Sequence, residues 1–289
     1  MDPRDPRTER EDVGLGHGGE LDLPGGPDAA LVLHGLTGST LEILPLVERL
    51  HGAGLRVLAP VMAGHGGAPA ALRGVPWTAW VEKAERDLAR LAGARRVFVA
   101  GLSMGAMVAC TLAAAHPDRI AGVVLLAPAL ELAWPGRLGA RLGLLPVARE
   151  VVVSKWYSDV RDPALPRRTF GLDGLPLGAV TELARLERHV DALLPQLRVP
   201  ALVVAAGQDR TVTVRGARRL ARRLGAPARL VVLPESAHLV LLDLERERCL
   251  DEAMGFLREL GACRAGGSDS GAGAGSGSFT GNAGSIHER

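Results

Sequence analysis

Short apolar runs at residues 29–33, 55–59, 97–100, 122–127, 201–206 and 230–233 constrain this chain more than any other feature. They do not alternate apolar with polar, so they suit strands buried on both faces of a parallel sheet. Longer stretches with helical spacing lie between them, at 41–51, 77–91, 103–115, 214–224 and 244–260. This strand–helix rhythm implies right-handed crossovers. The fold class is α/β, a mostly parallel sheet with helices on both faces.

The rhythm breaks between residues 129 and 197. No clear strand is legible there, while Pro135, Pro146, Pro163, Pro166, Pro176, Trp134 and Trp156 interrupt helix-compatible pieces. An insertion of this size between two sheet strands reads as a small helical cap, and also as two connecting helices with long loops. Residues 1–20 are charged and residues 262–289 are Gly/Ser-rich, so both are expected to be disordered tails. The folded domain then spans 21–261, with the cap at about 129–197.

The 289 residues are 47% hydrophobic, enough for a sizeable core, and the formal charge is only +2. That balance, with no one-sign block, argues against nucleic acid as a partner. Cys110, Cys249 and Cys263 are widely spaced, with no zinc or CxxC pattern. A reducing compartment follows, and with no signal-like or membrane-length stretch the expectation is a soluble cytoplasmic protein. The oligomeric state is not legible.

An apolar strand runs directly into Gly101-Leu102-Ser103-Met104-Gly105, and a helical stretch follows at once. Such a turn holds its serine at a strained position with the hydroxyl exposed, beside the positive end of a helix. Ser103 is therefore the candidate nucleophile, and the Met104 N–H a candidate oxyanion donor. A passive serine in a glycine-rich turn fits the pentapeptide too.

A serine hydroxyl needs a base, and the base an orienting acceptor. Asp209 follows the apolar run 201–206 and His238 follows 230–233, so both belong to loops after strands, like Ser103. The chain order Ser, Asp, His is a recurring one for this chemistry. Asp243 is the rival acid, more naturally a cap for the last helix, and Glu235 a weaker rival. His34 and His65 could line the same cleft. His51, His116 and His189 read as surface or packing residues.

The run Leu33-His34-Gly35-Leu36-Thr37-Gly38-Ser39-Thr40 is a strand end, a tight turn and a helix start. Its Leu36 N–H is the second candidate oxyanion donor, although Thr37, Ser39 or Thr40 could simply cap the helix. No phosphate loop, dinucleotide fingerprint or metal-ligand cluster is present, so no cofactor and no metal are expected.

Taken as a set, His34-Gly35-Leu36-Thr37-Gly38, Gly64-His65-Gly66, Trp77–Trp80, Gly101-Leu102-Ser103-Met104-Gly105, Gly207-Gln208-Asp209 and Ser236-Ala237-His238 resemble the α/β-hydrolase superfamily, bacterial carboxylesterases and monoacylglycerol lipases in particular. The likeness covers roughly residues 21–260. It implies a triad of Ser103, Asp209 and His238, Leu36 and Met104 as backbone oxyanion donors, and a cap that shapes the acyl pocket. Leu36 stands where such proteins often carry an aromatic residue, and Ala106 where a further glycine is frequent. The implied activity is hydrolysis of a small-molecule carboxylic ester, of short to medium acyl chain or a monoglyceride, through an acyl-enzyme. Thioester hydrolysis, acyl transfer, cofactor-free carbon–carbon or peracid chemistry, and ligand binding without turnover remain alternatives on the same residues.

Overall fold

The computed structural model describes residues 18–155, 158–165 and 170–262. The tails expected at 1–20 and 262–289 lie outside these residues apart from 18–20 and Ala262, and so do Trp156, Pro166 and Cys263. In chain order the elements are β1 (Leu21–Leu23), β2 (Asp28–Leu33), α1 (Leu44–Gly52), β3 (Arg56–Ala59), α2 (Trp77–Arg90) and β4 (Arg96–Leu102). Then come α3 (Met104–Ala115), β5 (Ile120–Leu126), α4 (Trp134–Leu142), β6 (Val152–Ser154), β7 (Gly174–Pro176) and α5 (Leu177–Leu193). The chain continues through β8 (Ala201–Ala206), α6 (Val214–Arg223), β9 (Ala228–Leu233) and α7 (Arg246–Glu259).

Seven strands form one sheet in the order β1-β3-β2-β4-β5-β8-β9. Every neighbouring pair is parallel except β1 with β3. The six apolar runs became β2, β3, β4, β5, β8 and β9, and all residues of β2 and β8 are buried. Each leucine or valine taken fully from water there contributes about 1.5–3 kcal/mol. Helix α3 is apolar all round because it is enclosed, between β4 and β5 on one side and α5 on the other. Helix α6 shows the opposite pattern: Ala217, Leu220 and Ala221 face inward, and its arginines crowd the other face.

The insertion departs from expectation in one respect. Besides α4 and α5, which pack on each other, it contains a small antiparallel sheet of β6 and β7. These strands and β1 have three residues each, too few for any period to register in sequence. Helix α5 is fastened to the main body through α3 and α2. Cys110 and Cys249 are buried free thiols, pushed up by burial to about 12. Among the described residues no helix is long and apolar enough to cross a membrane.

Candidate active site

Strand β4 delivers Ser103 to the C-terminal edge of the sheet. Its backbone sits at φ 56°, ψ −109°, and Met104 begins α3 immediately after it. The flanking glycines are required by contact. A Cβ on Gly101 would lie 2.2 Å from the Gly105 carbonyl carbon, and one on Gly105 would lie 2.2 Å from the Leu33 oxygen. Thr37, Ser103 and Ala127 are the described non-glycine residues with positive φ, and all three follow sheet strands at this same edge. Such strain costs about 1–3 kcal/mol per residue and clusters where function requires it.

Strands β8 and β9 bring Asp209 and His238 to that edge. Asp209 Oδ2 lies 2.7 Å from His238 Nδ1, and both side chains are buried. Asp209 Oδ1 accepts from the Thr211 and Val212 N–H groups at 2.7 and 2.8 Å, which fixes the carboxylate. Burial alone would lower the His238 imidazole. The charge and hydrogen bond of Asp209, with Asp159 and Glu42 farther off, outweigh burial and raise it above its ordinary value. The Nδ1 contact commits that nitrogen to Asp209 and leaves Nε2 for the cleft. Among the described residues Ser103 Oγ makes no hydrogen bond to His238; the two share an edge of the sheet.

The turn after β2 lies against the serine: a Cβ on Gly35 would stand 3.5 Å from Ser103 Cβ. Around it the backbone donors divide into two sets. Thr37 N–H goes to His65 Nε2, Gly38 N–H to the Gly35 oxygen, and Ser103 N–H to the Leu126 oxygen. The Leu36 and Met104 N–H groups have no acceptor among the described residues. One free donor thus begins α3 directly after Ser103, and another belongs to the turn that faces it.

His34 and His65 serve this turn structurally, not as acid or base. His34 Nε2 accepts from Met62 N–H at 3.1 Å, and its Nδ1 meets the Gly35 oxygen at 2.9 Å. His65 Nδ1 meets the Ala63 oxygen at 3.0 Å. Burial, before any neighbouring charge, lowers them to about 3 and about 4, so both are neutral clamps that tie the 34–38 and 62–65 loops together. Of the other histidines, His116 pairs with Glu85 and His189 packs on Trp77.

The rival acid Asp243 has a different task. It caps no helix in the expected sense, since the N-cap of α7 is Glu245. Its carboxylate accepts from the N–H groups of Arg161, Asp162, Ala237 and Leu244 at 2.7–3.0 Å. Glu235 pairs with Arg161 at 3.5 Å on the surface. Ser39 caps the short turn Thr40–Glu42, accepting from Leu41 N–H at 3.2 Å.

Two acidic neighbours of His238 escaped the sequence reading. Asp159, from the insertion, accepts from Arg210 N–H at 3.0 Å. Nothing local marks it. Glu42 had a faint signal, a lone charge inside the apolar stretch Leu41-Glu42-Ile43-Leu44.

The model of the family described as serine aminopeptidase, S33 matches residues 26–245. The thermostable monoacylglycerol lipase of Bacillus sp. (strain H-257) is 28% identical over 80% of this chain and 90% of its own. The carboxylesterase of Bacillus subtilis (strain 168) is 24% identical over 82% of this chain and 94% of its own. A solved structure from work on LipS and LipT, two metagenome-derived lipolytic enzymes, superposes with a TM-score of 0.79 at 26% identity, covering 85% of this chain and 99% of that one.

Proposed function

The chain belongs to the serine aminopeptidase S33 family of α/β-hydrolases, and from that premise we propose that it hydrolyses carboxylic esters with Ser103 as nucleophile, His238 as general base and Asp209 as the acid that orients the base. The observation that carries the reading is the buried Asp209–His238 contact of 2.7 Å at the sheet edge where Ser103 adopts its strained turn. The names of the lipase and carboxylesterase relatives direct it toward esters.

His238 takes the Ser103 proton as the hydroxyl attacks the ester carbonyl. The oxyanion that forms is held by the Leu36 and Met104 N–H groups, which need no reorganisation because nothing else claims them. His238 then gives its proton to the alkoxide, and the alcohol departs. Water, deprotonated by the same imidazole, attacks the acyl-enzyme and frees the acid. Asp209 stabilises the imidazolium in both halves. The segment between β5 and β8 serves as a cap over the acyl pocket. The substrates are esters of short to medium acyl chains, monoglycerides among them.

A fluorophosphonate probe tests this directly. Wild-type protein is expected to take one label on Ser103 and to cleave p-nitrophenyl esters. Ser103→Ala and His238→Ala are expected to lose both properties while remaining folded. A folded wild-type protein that takes no label removes the proposal.

A further inference from the structure

Glu42 is set apart from every other buried acid among the described residues. Asp28, Asp87, Glu182 and Asp243 are each hydrogen-bonded by an arginine, a lysine or backbone N–H groups. Glu42 is only 2% exposed, and no described residue donates to its carboxyl. Leaving such a group unpaired and sealed would be destabilising. It is not sealed, because Trp80 Nε1 is the sole fully occluded, unpartnered side-chain polar atom among the described residues. The carboxyl therefore keeps a small accessible opening.

The carboxyl lies beside the turn that faces Ser103. A Cβ on Gly38 would fall 2.0 Å from Glu42 Oε2, and one on Gly35 would lie 3.7 Å from it and 3.5 Å from Ser103 Cβ. Two side-chain-free positions thus make room for the carboxyl at the nucleophile. Its charged neighbours are Lys155 and His238. Lys155, one of only two lysines in the chain, is itself held by Thr37 Oγ1 at 3.0 Å. A cationic ligand would compete with both neighbours. Burial pushes the Glu42 carboxyl up, against the pull of Lys155 and His238. A carboxyl oxygen accepts a hydrogen bond from a hydroxyl whether or not the group is protonated.

We propose that Glu42 is a specificity-determining residue that hydrogen-bonds a hydroxyl of the leaving alcohol, so that the site favours esters of polyhydric alcohols over esters of simple alkanols. The alcohol side is indicated because the carboxyl lies in the field of His238, the group that returns a proton to the leaving oxygen. The inference rests on the ester-hydrolase reading above.

The test uses two substrates with one acyl chain, a decanoyl monoglyceride and propyl decanoate, with active sites counted by fluorophosphonate titration. In Glu42→Leu the ratio of kcat/KM for monoglyceride over propyl ester, both read at one pH, is expected to fall roughly tenfold. Glu42→Gln, which keeps an acceptor oxygen, is expected to preserve the ratio. Equal losses on both esters, or an unchanged ratio in Glu42→Leu, would overturn the assignment. So would selection through Glu42 of an alanyl ester with a free amine over both. If wild-type protein takes no label and cleaves neither ester, the ester-hydrolase reading itself has failed. If it takes the label and cleaves both without a Glu42-dependent ratio, only the Glu42 proposal has.

Discussion

In the proposed mechanism His238 must be neutral to accept the serine proton, yet its surroundings favour the charged form. Burial works against the imidazolium, and the Asp209 carboxylate, with Asp159 and Glu42 behind it, more than restores it. The sign of the pH dependence follows. Activity rises with pH as His238 loses its proton, so the acid limb of kcat/KM is expected above the ordinary imidazole value of about 6.5. In Asp209→Asn the largest raising influence is gone, so the limb moves down, and turnover falls by roughly 10³–10⁴ as the tautomer is lost. A pH–rate profile of both proteins reads both effects; a limb that stays in place would remove Asp209 from its role. That Ser103, Asp209 and His238 share one sheet edge was legible in sequence because each lies in the segment that follows a recognisable strand. Glu42 and Asp159 were not, because their meaning depends on contacts across the fold: Asp159 meets Arg210, 51 residues away.

At the scale of elements, β4, the turn and α3 form one rigid unit whose tolerance is set by two glycines. The strand-to-helix angle brings backbone against backbone, so neither a rotamer change nor a flexible neighbour relieves an added methyl. Gly105→Ala would press a Cβ onto the Leu33 carbonyl, and Gly101→Ala onto Gly105. Each is expected to destabilise by about 1–3 kcal/mol or more and to displace the serine turn. Thermal melting should show both variants several degrees below wild type, with weakened probe labelling of the fraction that stays folded. Alanine at Gly52, where nothing lies within 4 Å of an added Cβ, is the control and should melt like wild type. The same packing logic explains what could be read of the fold. Strands buried on both faces announce themselves as apolar runs. β1, β6 and β7 do not, since three-residue edge pairings are decided by the partner strand and not by their own pattern.

Across the whole molecule, the insertion is fastened by polar contacts to the sheet edge that carries Ser103, Asp209 and His238. Leu172 N–H and Lys155 Nζ reach Thr37 in the serine-side turn. Asp159 accepts from Arg210 next to Asp209, and its carbonyl oxygen accepts from Leu239 N–H next to His238. Asp243 completes the set, drawing Arg161 and Asp162 of the insertion, Ala237 of the histidine loop and Leu244 onto one buried carboxylate. Asparagine there would keep one acceptor oxygen and turn an N–H₂ group toward N–H donors. The loss should be on the order of 2–4 kcal/mol, which for a domain of this size lowers Tm by roughly 5–15 °C. Turnover is a separate matter, because Asp243 does not touch the imidazole: His238 Nδ1 belongs to Asp209. Asp243→Asn is therefore expected to melt early yet keep kcat within about fivefold of wild type at 25 °C, where the folded form still dominates. Asp209→Asn is expected to do the reverse, keeping its melting point and losing its turnover. Melting curves and kcat for the two variants side by side separate an acid that orients the base from one that holds the insertion on; early melting of Asp209→Asn with intact turnover, and the opposite for Asp243→Asn, would exchange the two roles.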